Sequence, residues 1–364
     1  MLTQFESRQT KIEAALDNAL KMDFTPQWQE LSFGQLPQAI TQNPVFIKNL
    51  IQPNKALIDL GGKRWRPLFM ILCYEMAKAR GEEGGSQQTR PLSNPYALTP
   101  LVEFVHTASL IHDDIEDSAD LRRGKPAAHI TYGLDTALNC ASWLYFQAAT
   151  SINSPELTPE LTTEQRLTFY NLYTTELRRL HLGQAMDIYW HREKSVFPTQ
   201  SEYEAMVRNK TGTLASLAAQ VGMLAGGATT EQAAAAGETA AQIGIGFQII
   251  DDVINLTKGN PGKKRGDDIV EGKKSLPVLI HVQSRPQDKE KISALMEQAA
   301  TQGIDSPAVE ECISLLQSSG CIDQAAQKGR DLIKQNCAAF KDAPLITDLF
   351  TSMIPPEYRQ EAAQ

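Results

Sequence analysis

The sequence has little cysteine and no long apolar run, and both shortages narrow the class of protein. Its five cysteines are widely spaced and never form Cys-x-x-Cys, so neither a disulfide framework nor a zinc knuckle is expected and a reducing compartment is favoured. No stretch approaches the roughly 20 apolar residues of a membrane-spanning helix, and MLTQFESRQTKIEAAL lacks the apolar segment of a secretory signal. We therefore expect a cytoplasmic protein without a membrane span.

Positive charge is also in short supply. The 35 Lys and Arg residues are outnumbered by 43 Asp and Glu residues, which gives a formal net charge of −8. Because binding to a nucleic acid backbone relies on a positive protein surface, a nucleic acid partner is not expected. Any phosphate group that binds here must be held locally, by a few placed cations or by metal ions.

Alternating strand patterns are missing as well, and helical periodicity dominates. Ile12, Leu16 and Leu20 mark a first amphipathic helix, and the residues after about 285 are again helical in pattern. No break has the length or composition of an interdomain linker, and no fixed-period repeat is present. We therefore predict an all-α protein with one domain over residues 1–364. The other long helices are predicted at residues 98–117, 134–150, 161–191, 202–225 and 231–256.

The first candidate site ends an apolar helical segment in HTASLIHDDIED. Asp113 and Asp117 are four residues apart, so their side chains start about 6 Å apart on one helix face, with Asp114 beside them. Mutual repulsion favours a bound cation, and hard oxygen ligands suit magnesium, which keeps several waters and bridges to phosphates. Alone, such a cluster is more often a solvated helix end than a metal site.

The segment GIGFQIIDDVIN repeats this arrangement. Asp251 and Asp252 are predicted to end an apolar helix, and Asn255 follows one turn later as an amide ligand or as a group that supports the ligands. Two such clusters on two buried helices could face each other across a cavity and hold a metal–diphosphate cluster. The repetition favours a metal site over a solvated surface.

Basic residues complete a diphosphate site. GGKRWRP places Lys63, Arg64 and Arg66 in a turn before an apolar helix that is predicted to begin near Leu68, an arrangement that favours anion binding. Alone, such a cluster is typical of a solvated charged surface. Together with the two acidic clusters, these basic residues indicate a site in which one diphosphate is held through metal ions and another is held directly by Lys and Arg.

Further polar residues accompany the acidic clusters. LRRGKP supplies Arg122 and Arg123, and His106 lies about two helical turns before the first aspartate, on the same face, where it is either a site residue or a satisfied core histidine. Burying polar groups costs free energy unless they are paired or used, although a lysine in an apolar helix can also extend to the surface. The polar residues within apolar helical stretches are Gln184 and Asp187 in HLGQAMD, Lys210 and Thr211 in NKTG, and Gln248.

Taken together, the motifs resemble those of a known family. GGKRWRP, DDIED followed by LRRG, GQAMD, KTG and GFQIIDD occur in the order found in trans-isoprenyl diphosphate synthases, the polyprenyl synthetases. The resemblance covers roughly residues 55–285. LRRGKPAAHITYG, GQAMDIYW, DDVIN and EGKKSLP are most similar to the eukaryotic type of geranylgeranyl diphosphate synthase, whose second acidic motif also ends in Asn. Farnesyl synthases have a third Asp at that place, so Asn255 departs from them.

The resemblance implies a fold, a reaction and a cofactor. The fold is the isoprenoid synthase fold, a single large helical bundle around a central apolar cavity, and the protein is a homodimer. The enzyme ionises an allylic diphosphate, joins it head to tail to isopentenyl diphosphate and loses a proton to the departing diphosphate. Three Mg²⁺ ions are implied in each active site. Asp114 and Asp252, the central residues of the two metal motifs, are implied to support the ligands. The residues of these motifs are Asp113, Asp114, Asp117, Asp251, Asp252 and Asn255.

The resemblance also assigns roles to the remaining polar residues. Asp187 and Gln184 support the metal ligands. Thr211 and Gln248 place oxygen dipoles near the developing carbocation. The contacts to the allylic diphosphate are Arg122, Lys210, Lys264 and Lys273. The contacts to isopentenyl diphosphate are Lys63, Arg66, His106 and Arg123.

Product length in this fold depends on the depth of the apolar pocket beneath the first acidic cluster. Small residues lie four and five positions before Asp113, where animal farnesyl synthases carry aromatic rings. We therefore predict a C20 product, with a longer polyprenyl chain and a C15 farnesyl chain as the alternatives. The pocket positions are Ala108 and Ser109, then Phe104 and Val105 one turn deeper, with Trp143 or Tyr145 on a facing helix as further candidates for the floor.

Two rival interpretations use the same motifs. A terpene cyclase shares the fold and the first acidic cluster, but its second metal motif follows an Asn/Asp, Ser/Thr, Glu pattern that is missing after Phe247. A non-catalytic partner subunit of a synthase is the other alternative. Such subunits tend to lose an acidic cluster, whereas both clusters are largely intact in this sequence.

Overall fold

A computed structural model describes residues 3–82, 89–154, 157–259 and 264–359. It is 77% helical with almost no strand, which confirms the all-α prediction. No helix in the described part of the chain has the length and apolar character needed to cross a membrane. The prediction of one domain over residues 1–364 includes positions outside the described residues and stays a prediction.

Nineteen α-helices are formed by the described residues. In chain order they are α1 Glu6–Ala19, α2 Pro26–Phe33, α3 Gln38–Thr41, α4 Val45–Asp59, α5 Trp65–Glu82, α6 Pro100–Glu116, α7 Ala128–Tyr132, α8 Leu134–Ala148, α9 Thr150–Asn153, α10 Thr163–Arg192, α11 Gln200–Val207, α12 Thr213–Ala225, α13 Thr230–Thr257, α14 Asp267–Glu271, α15 Leu276–Ser284, α16 Lys289–Gln302, α17 Pro307–Ser318, α18 Cys321–Cys337 and α19 Pro344–Met353. Two short strands, β1 Leu121–Arg122 and β2 Lys125–Pro126, pair antiparallel as a hairpin.

The chain divides into two compact units, each with its own apolar core. The first contains residues 1–175 and 217–236, and the second contains residues 176–216 and 237–364. In the first unit, α5 and α6 are apolar on nearly every face, as expected of helices that are surrounded by protein, and Phe69 and Leu101 are fully buried. In the second unit, α13 packs with α15 to α18 around residues such as Ile249 and Met296.

The long helices occur where periodicity predicts them, as in α13 at Thr230–Thr257, but two details of the prediction are wrong. Helix α5 begins at Trp65, not near Leu68, because Pro67 fits the first turn of a helix, where no donor is needed. A π-helical segment, Arg208–Gly212, interrupts the helix predicted at residues 202–225.

All five cysteines are free and buried, in agreement with the absence of a disulfide framework. Burial raises the pKa of the Cys140 thiol to about 11 and those of Cys312 and Cys337 to about 12. The thiols therefore pack as small apolar groups.

Candidate functional site

The first acidic cluster lies at the C-terminal end of α6. Ser118 adopts a left-handed conformation with φ of 53°, and the amide of Ala119 donates to the carbonyl of Asp114 at 2.8 Å, which ends the helix as a Schellman motif. Asp113 and Asp117 are half-buried in this last turn, where the helix dipole adds negative potential. The dipole and the mutual repulsion of the carboxylates both favour a bound cation.

Asp114 differs from its two neighbours because it is buried. Its Oδ1 accepts hydrogen bonds from Arg122, with Nε at 2.8 Å, and its Oδ2 has no hydrogen-bond partner among the described residues. Burial raises the pKa of Asp114, and the guanidinium of Arg122 opposes that rise. Arg122 is thereby held beside the acidic cluster, and its predicted contact with the allylic diphosphate stays a prediction.

The cations predicted to bind isopentenyl diphosphate also lie in the first unit. Arg66 Nη1 lies 3.3 Å from His106 Nε2, and Arg66 Nε is buried without a hydrogen-bond partner among the described residues. Burial lowers the pKa of Arg66 to about 10; Glu103 opposes this shift, and the nearby Arg123 adds to it. Burial and then the same arginines hold the pKa of His106 well below its usual value. An anion bound here would relieve this crowding of positive charge.

Arg123 ties the β1–β2 hairpin to the glycine turn before α5. Its backbone is left-handed, with φ of 52°, and Nη1 donates to the carbonyl of Gly61 and, at 3.3 Å, to that of Leu57. A Cβ added at Gly62 would lie 3.3 Å from Arg123 Nη2, so this glycine admits the guanidinium. Lys63, on the same turn, is exposed to solvent.

The residues predicted to set product length lie deeper in α6. Phe104, Val105 and Ala108 are fully buried, and Ser109 is half-buried, with its hydroxyl donating to the carbonyl of His106 at 2.9 Å. None of these observations measures a pocket depth, so the assignment stays a prediction.

The two aromatic residues of α8 have different partners. Trp143 stacks on Phe33 of α2, with ring centroids 5.8 Å apart. Tyr145 stacks on His112, the residue before Asp113, with ring centroids 5.5 Å apart. Tyr145 is therefore the better placed of the two to lie beneath the first acidic cluster.

In the second unit, Asp251 is exposed whereas Asp252 is buried and fully bonded. Asp252 Oδ2 accepts from the Tyr203 hydroxyl at 2.6 Å and from the amide of Leu276 at 3.3 Å, and Oδ1 accepts from Gln248 Nε2 at 3.0 Å. Burial raises the pKa of Asp252 to about 6, although these hydrogen bonds oppose the rise. Asp252 is therefore held in place by hydrogen bonds, whereas its neighbour Asp251 faces solvent.

The hydrogen bonds continue from Asp252 to the π-helical segment. The Thr211 hydroxyl donates to Gln248 Oε1 at 2.9 Å, while the amide nitrogen of the same side chain donates to Asp252. This pattern fixes the orientation of the Gln248 amide. Because the Thr211 hydroxyl donates its hydrogen to Gln248, the lone pairs of the Thr211 oxygen point away from Gln248.

Asn255, near the end of α13, bonds to the backbone of residues that follow the next loop. It is fully buried, its Oδ1 accepts from the amide of Asp268 at 3.3 Å, and its carbonyl accepts from the amide of Gly266 at 2.9 Å. Its amide oxygen already has a donor, and a role as metal ligand stays a prediction.

Lys210 and Lys273 are ion-paired with different carboxylates. Lys273 Nζ lies 2.5 Å from Glu271 Oε2. Lys210 Nζ lies 2.6 Å from Asp187 Oδ2, with Gln184 one turn earlier on α10. Burial acts to raise the pKa of Asp187, but Lys210 and Lys273 together hold it below its usual value. Lys264 is placed differently: its side chain is 67% exposed and its ammonium lies 3.5 Å from Asp305. The structure therefore pairs Lys210 with Asp187 and Lys273 with Glu271, while Lys264 is paired with Asp305.

Gly183 allows α10 to approach the π-helical segment closely. A Cβ at this position would lie 2.3 Å from the backbone nitrogen of Lys210 and 2.7 Å from the carbonyl carbon of Asn209. π-Helical turns occur often at functional sites, and this one carries Lys210 and Thr211. The first residue of the motif GQAMD is therefore a glycine because a side chain at this position would clash with the neighbouring backbone.

Tyr203 is the site residue that sequence reasoning missed. It is fully buried, and its side chain reaches Asp252 from α11. In the sequence it is an aromatic residue within an apolar helical pattern, which is typical of the core, so no signal distinguished it.

The donor set suits magnesium. The accessible ligands are carboxylate oxygens, and no three His, Cys, Asp or Glu side chains within either unit, as far as each is described, form a metal site by themselves. Magnesium commonly takes only one or two carboxylates from protein and completes its shell with waters and phosphate oxygens. Asp113, Asp117 and Asp251 fit that requirement.

Comparisons with known proteins agree with this chemistry. A family model described as polyprenyl synthetase matches residues 47–315. Geranylgeranyl pyrophosphate synthase 2 of Zymoseptoria tritici is 37% identical over 246 residues, which cover 65% of this chain and 69% of that protein. The crystal structure of geranylgeranyl pyrophosphate synthetase from Pyrococcus horikoshii has a TM-score of 0.75 at 25% identity and covers 99% of this chain and 98% of its own.

Another solved structure shares the fold alone. The heptaprenyl diphosphate synthase of Staphylococcus aureus has a TM-score of 0.72 at 24% identity and covers 96% of this chain and 97% of its own. The all-α architecture is therefore that of the isoprenyl diphosphate synthases. With three quarters of its length matched by the family model, the chain belongs to the polyprenyl synthetase family.

Proposed function

We propose that the protein is a prenyltransferase that condenses isopentenyl diphosphate head to tail with an allylic diphosphate. The observation that carries the proposal is the crowded set of cations around the half-buried Arg66 and His106, in the unit that also holds the partly accessible Asp113 and Asp117. A terpene cyclase has no use for a second diphosphate site made by these cations.

We propose Asp113, Asp117 and Asp251 as the ligands of Mg²⁺, with three ions expected per active site. Bound Mg²⁺ supplies Lewis-acid neutralisation of the charge on the leaving diphosphate. Asp114 and Asp252, both buried, support these ligands, and Arg122 and Lys210 bind the allylic diphosphate. Asp187 holds the Lys210 ammonium in place by the ion pair at 2.6 Å.

The reacting carbons are proposed to lie near Thr211 and Gln248. Each oxygen carries a partial negative charge that stabilises a developing carbocation, and the bonded chain to Asp252 holds both dipoles fixed before the reaction. Isopentenyl diphosphate is bound by Lys63, Arg66, His106 and Arg123. The departing diphosphate accepts the proton that the condensed product loses.

We propose geranylgeranyl diphosphate as the product. The proposal is supported by the small side chains Ala108 and Ser109 and by the naming of the similar relatives as geranylgeranyl synthases. The heptaprenyl synthase of the same fold shows that the fold alone does not fix the chain length.

A Phe at position 108 is expected to shorten the product, because its ring would occupy the proposed pocket five residues before Asp113. Mass analysis of the chains made by Ala108→Phe and wild type measures the change. Leu98→Phe, at the other end of the same buried region, is the matched control. An unchanged product distribution in Ala108→Phe would refute the pocket-depth argument.

The decisive experiment is incubation of the purified chain with isopentenyl diphosphate, Mg²⁺ and each allylic primer, followed by mass analysis. We expect chain elongation that a chelator abolishes, and loss of more than a hundredfold in turnover for Asp113→Asn or Asp251→Asn. A chain that is inactive alone but raises the turnover of another synthase would identify a partner subunit. Release of a cyclic hydrocarbon would identify a cyclase.

We also propose a cytoplasmic homodimer, which the family resemblance and the sequence composition support. The apolar residues Leu134, Leu138 and Phe146 of α8 are exposed on the single chain. Exposed apolar surface of this kind marks interaction sites between proteins. Cell fractionation tests the location, and the solution mass tests the assembly.

A further inference from the structure

We propose that Arg64 is a positioning residue for isopentenyl diphosphate, and that its buried ion pair with Glu103 fixes the turn that presents Lys63 and Arg66. This inference rests on the proposed function and deepens it. Lys63, Arg64 and Arg66 look alike in the motif GGKRWRP, as three cations of one turn. In the structure, the middle one is withdrawn from solvent and serves a different purpose.

Each of the three guanidinium nitrogens of Arg64 donates a hydrogen bond inside the protein. Nη1 donates to Glu103 Oε1 at 2.6 Å, and Nη2 donates to the carbonyl of Ile58 at 2.6 Å. Nε donates to Glu13 Oε1 at 2.7 Å. The Arg64 side chain is 2% exposed and that of Glu103 is 3% exposed. Nη2 also donates to Glu13 Oε2 at 3.3 Å, so four of the five N–H groups are engaged inside the protein, and we expect Arg64 to act on a substrate through its neighbours.

The backbone of Arg64 is as unusual as its side chain. Its φ is 47°, in the left-handed region that residues other than glycine seldom adopt. Such conformations persist only where the surroundings enforce them, and they cluster at functional sites. Arg64 directly precedes α5, so this conformation sets the direction in which Lys63 leaves the turn and Arg66 enters the helix.

Glu103 links the turn to the helix that carries the rest of the site. It lies on α6 one turn before His106, and His106 contacts Arg66 at 3.3 Å. The ion pair therefore connects the two elements within one helical turn of the Arg66–His106 contact. Without this ion pair, the protein would lose the bond that fixes the position of the turn relative to α6.

Glu13 provides a matched control for Glu103. Both carboxylates bind the same guanidinium, but Glu13 belongs to α1 and its side chain is 49% exposed. Solvent can replace Glu13 at Arg64, whereas it cannot reach the buried Glu103. If Glu103 only neutralised the charge of Arg64, substitutions of Glu103 and of Glu13 would have similar effects on substrate binding. If Glu103 fixes the turn against α6, its substitution should have the larger effect.

The test compares Glu103→Gln, Arg64→Met and Glu13→Gln with wild type in steady-state kinetics and in calorimetric binding of isopentenyl diphosphate. We expect KM and Kd for isopentenyl diphosphate to rise about tenfold in Glu103→Gln and more in Arg64→Met. KM for the allylic primer is expected to stay within twofold in both. Glu13→Gln is expected to match wild type within twofold for both substrates.

A double variant, Arg64→Met with Glu103→Met, separates positioning from stability. Apolar residues of similar size often replace a buried ion pair without loss of stability. We expect this variant to unfold at or near the wild-type temperature while its KM for isopentenyl diphosphate stays elevated. Recovery of a wild-type KM would overturn the inference, and so would equal rises of KM for both substrates in Glu103→Gln.

The outcomes also separate this inference from the proposed function. A wild-type chain that neither binds nor elongates with isopentenyl diphosphate overturns both. An active wild-type chain with an unchanged KM for isopentenyl diphosphate in Glu103→Gln overturns only the role of Arg64.

Discussion

At the scale of single residues, buried hydrogen bonds determine which polar side chains are available to substrate. Asp113 and Asp114 are adjacent in the sequence, yet one faces solvent in part while the other is buried against Arg122. Asp251 and Asp252 repeat that division. The spacing of the aspartates predicted both clusters, but it could not separate accessible from buried members, because burial depends on residues such as Tyr203 that are distant in sequence.

Tyr203→Phe is expected to lower kcat about tenfold and to leave both KM values within twofold. The change removes one of three hydrogen bonds to Asp252, and a buried hydrogen bond to a charged group contributes about 1.5–3 kcal/mol. The loosened Asp252 would then hold the Gln248 amide less rigidly. Single-turnover and steady-state kinetics measure the effect.

Tyr74→Phe is the matched control for Tyr203, since its buried hydroxyl donates to the carbonyl of Leu92 at 2.7 Å within the first unit. Gln248→Leu supplies a second check. If Tyr203 acts through Gln248, its substitution should have little further effect on kcat in the Gln248→Leu background. Fully additive losses would contradict the bonded chain.

Lys274 is expected to make stability rise with pH above about 8. It is buried, with its ammonium donating to the carbonyl of Gly272 and lying over the ring of Phe197. Burial, and then Lys194, lower its pKa from 10.5 to about 8. Between these values the unfolded chain holds a proton that the folded chain does not, so deprotonation favours the folded state.

Urea unfolding of wild type and Lys274→Met between pH 7.5 and 10 measures this contribution. The wild-type free energy of unfolding should gain about 2–3 kcal/mol relative to the variant over that range. Lys289→Met, at an exposed lysine beside the same Phe197 ring, should follow wild type. Parallel curves for wild type and Lys274→Met would contradict the assignment.

At the scale of elements, periodicity predicted the helices within a few residues but missed the irregular turn that carries Lys210 and Thr211. A π-helical turn contains one extra residue, too small a change to alter an apolar pattern over 20 positions. Nor could sequence spacing reveal that Lys264 pairs with Asp305 while Lys273 pairs with Glu271, because the loop after α13 has no periodicity that fixes its path.

Gly183→Ala is expected to displace this π-helical segment. The new Cβ would lie 2.3 Å from a backbone nitrogen, and backbone cannot move aside as a flexible side chain can. Overpacking of this kind costs about 1–3 kcal/mol, and the shift would stretch the ion pair between Lys210 and Asp187. Thermal unfolding and kcat should therefore both fall.

Leu182→Ala is the control for Gly183, because it changes an exposed neighbour on the same helix. We expect that variant to keep the wild-type unfolding temperature within about 2 °C and its kcat within twofold. Equal losses in both variants would show that α10 is generally sensitive there and that the close approach has no special importance.

At the scale of the whole molecule, the exposed apolar residues of α8 bear on assembly. Leu134 and Leu138 are one turn apart and exposed on the single chain, as is Ile130 of α7. We expect light scattering to give the mass of a dimer for wild type and that of a monomer for the double variant Leu134→Glu, Leu138→Glu. Met22→Glu, at an exposed apolar residue outside α7 and α8, should stay dimeric. A monomeric wild-type chain would contradict the proposed assembly.

The buried thiols make the chain a reporter of its own unfolding. Cys73 and Cys140 belong to the first unit, and Cys312, Cys321 and Cys337 belong to the second. Alkylating reagents must reach the sulfur, so each buried thiol becomes reactive only when its surroundings open. Pulse alkylation followed by peptide mass mapping would therefore reveal whether the two parts of the enzyme melt together or in sequence, without any engineered label.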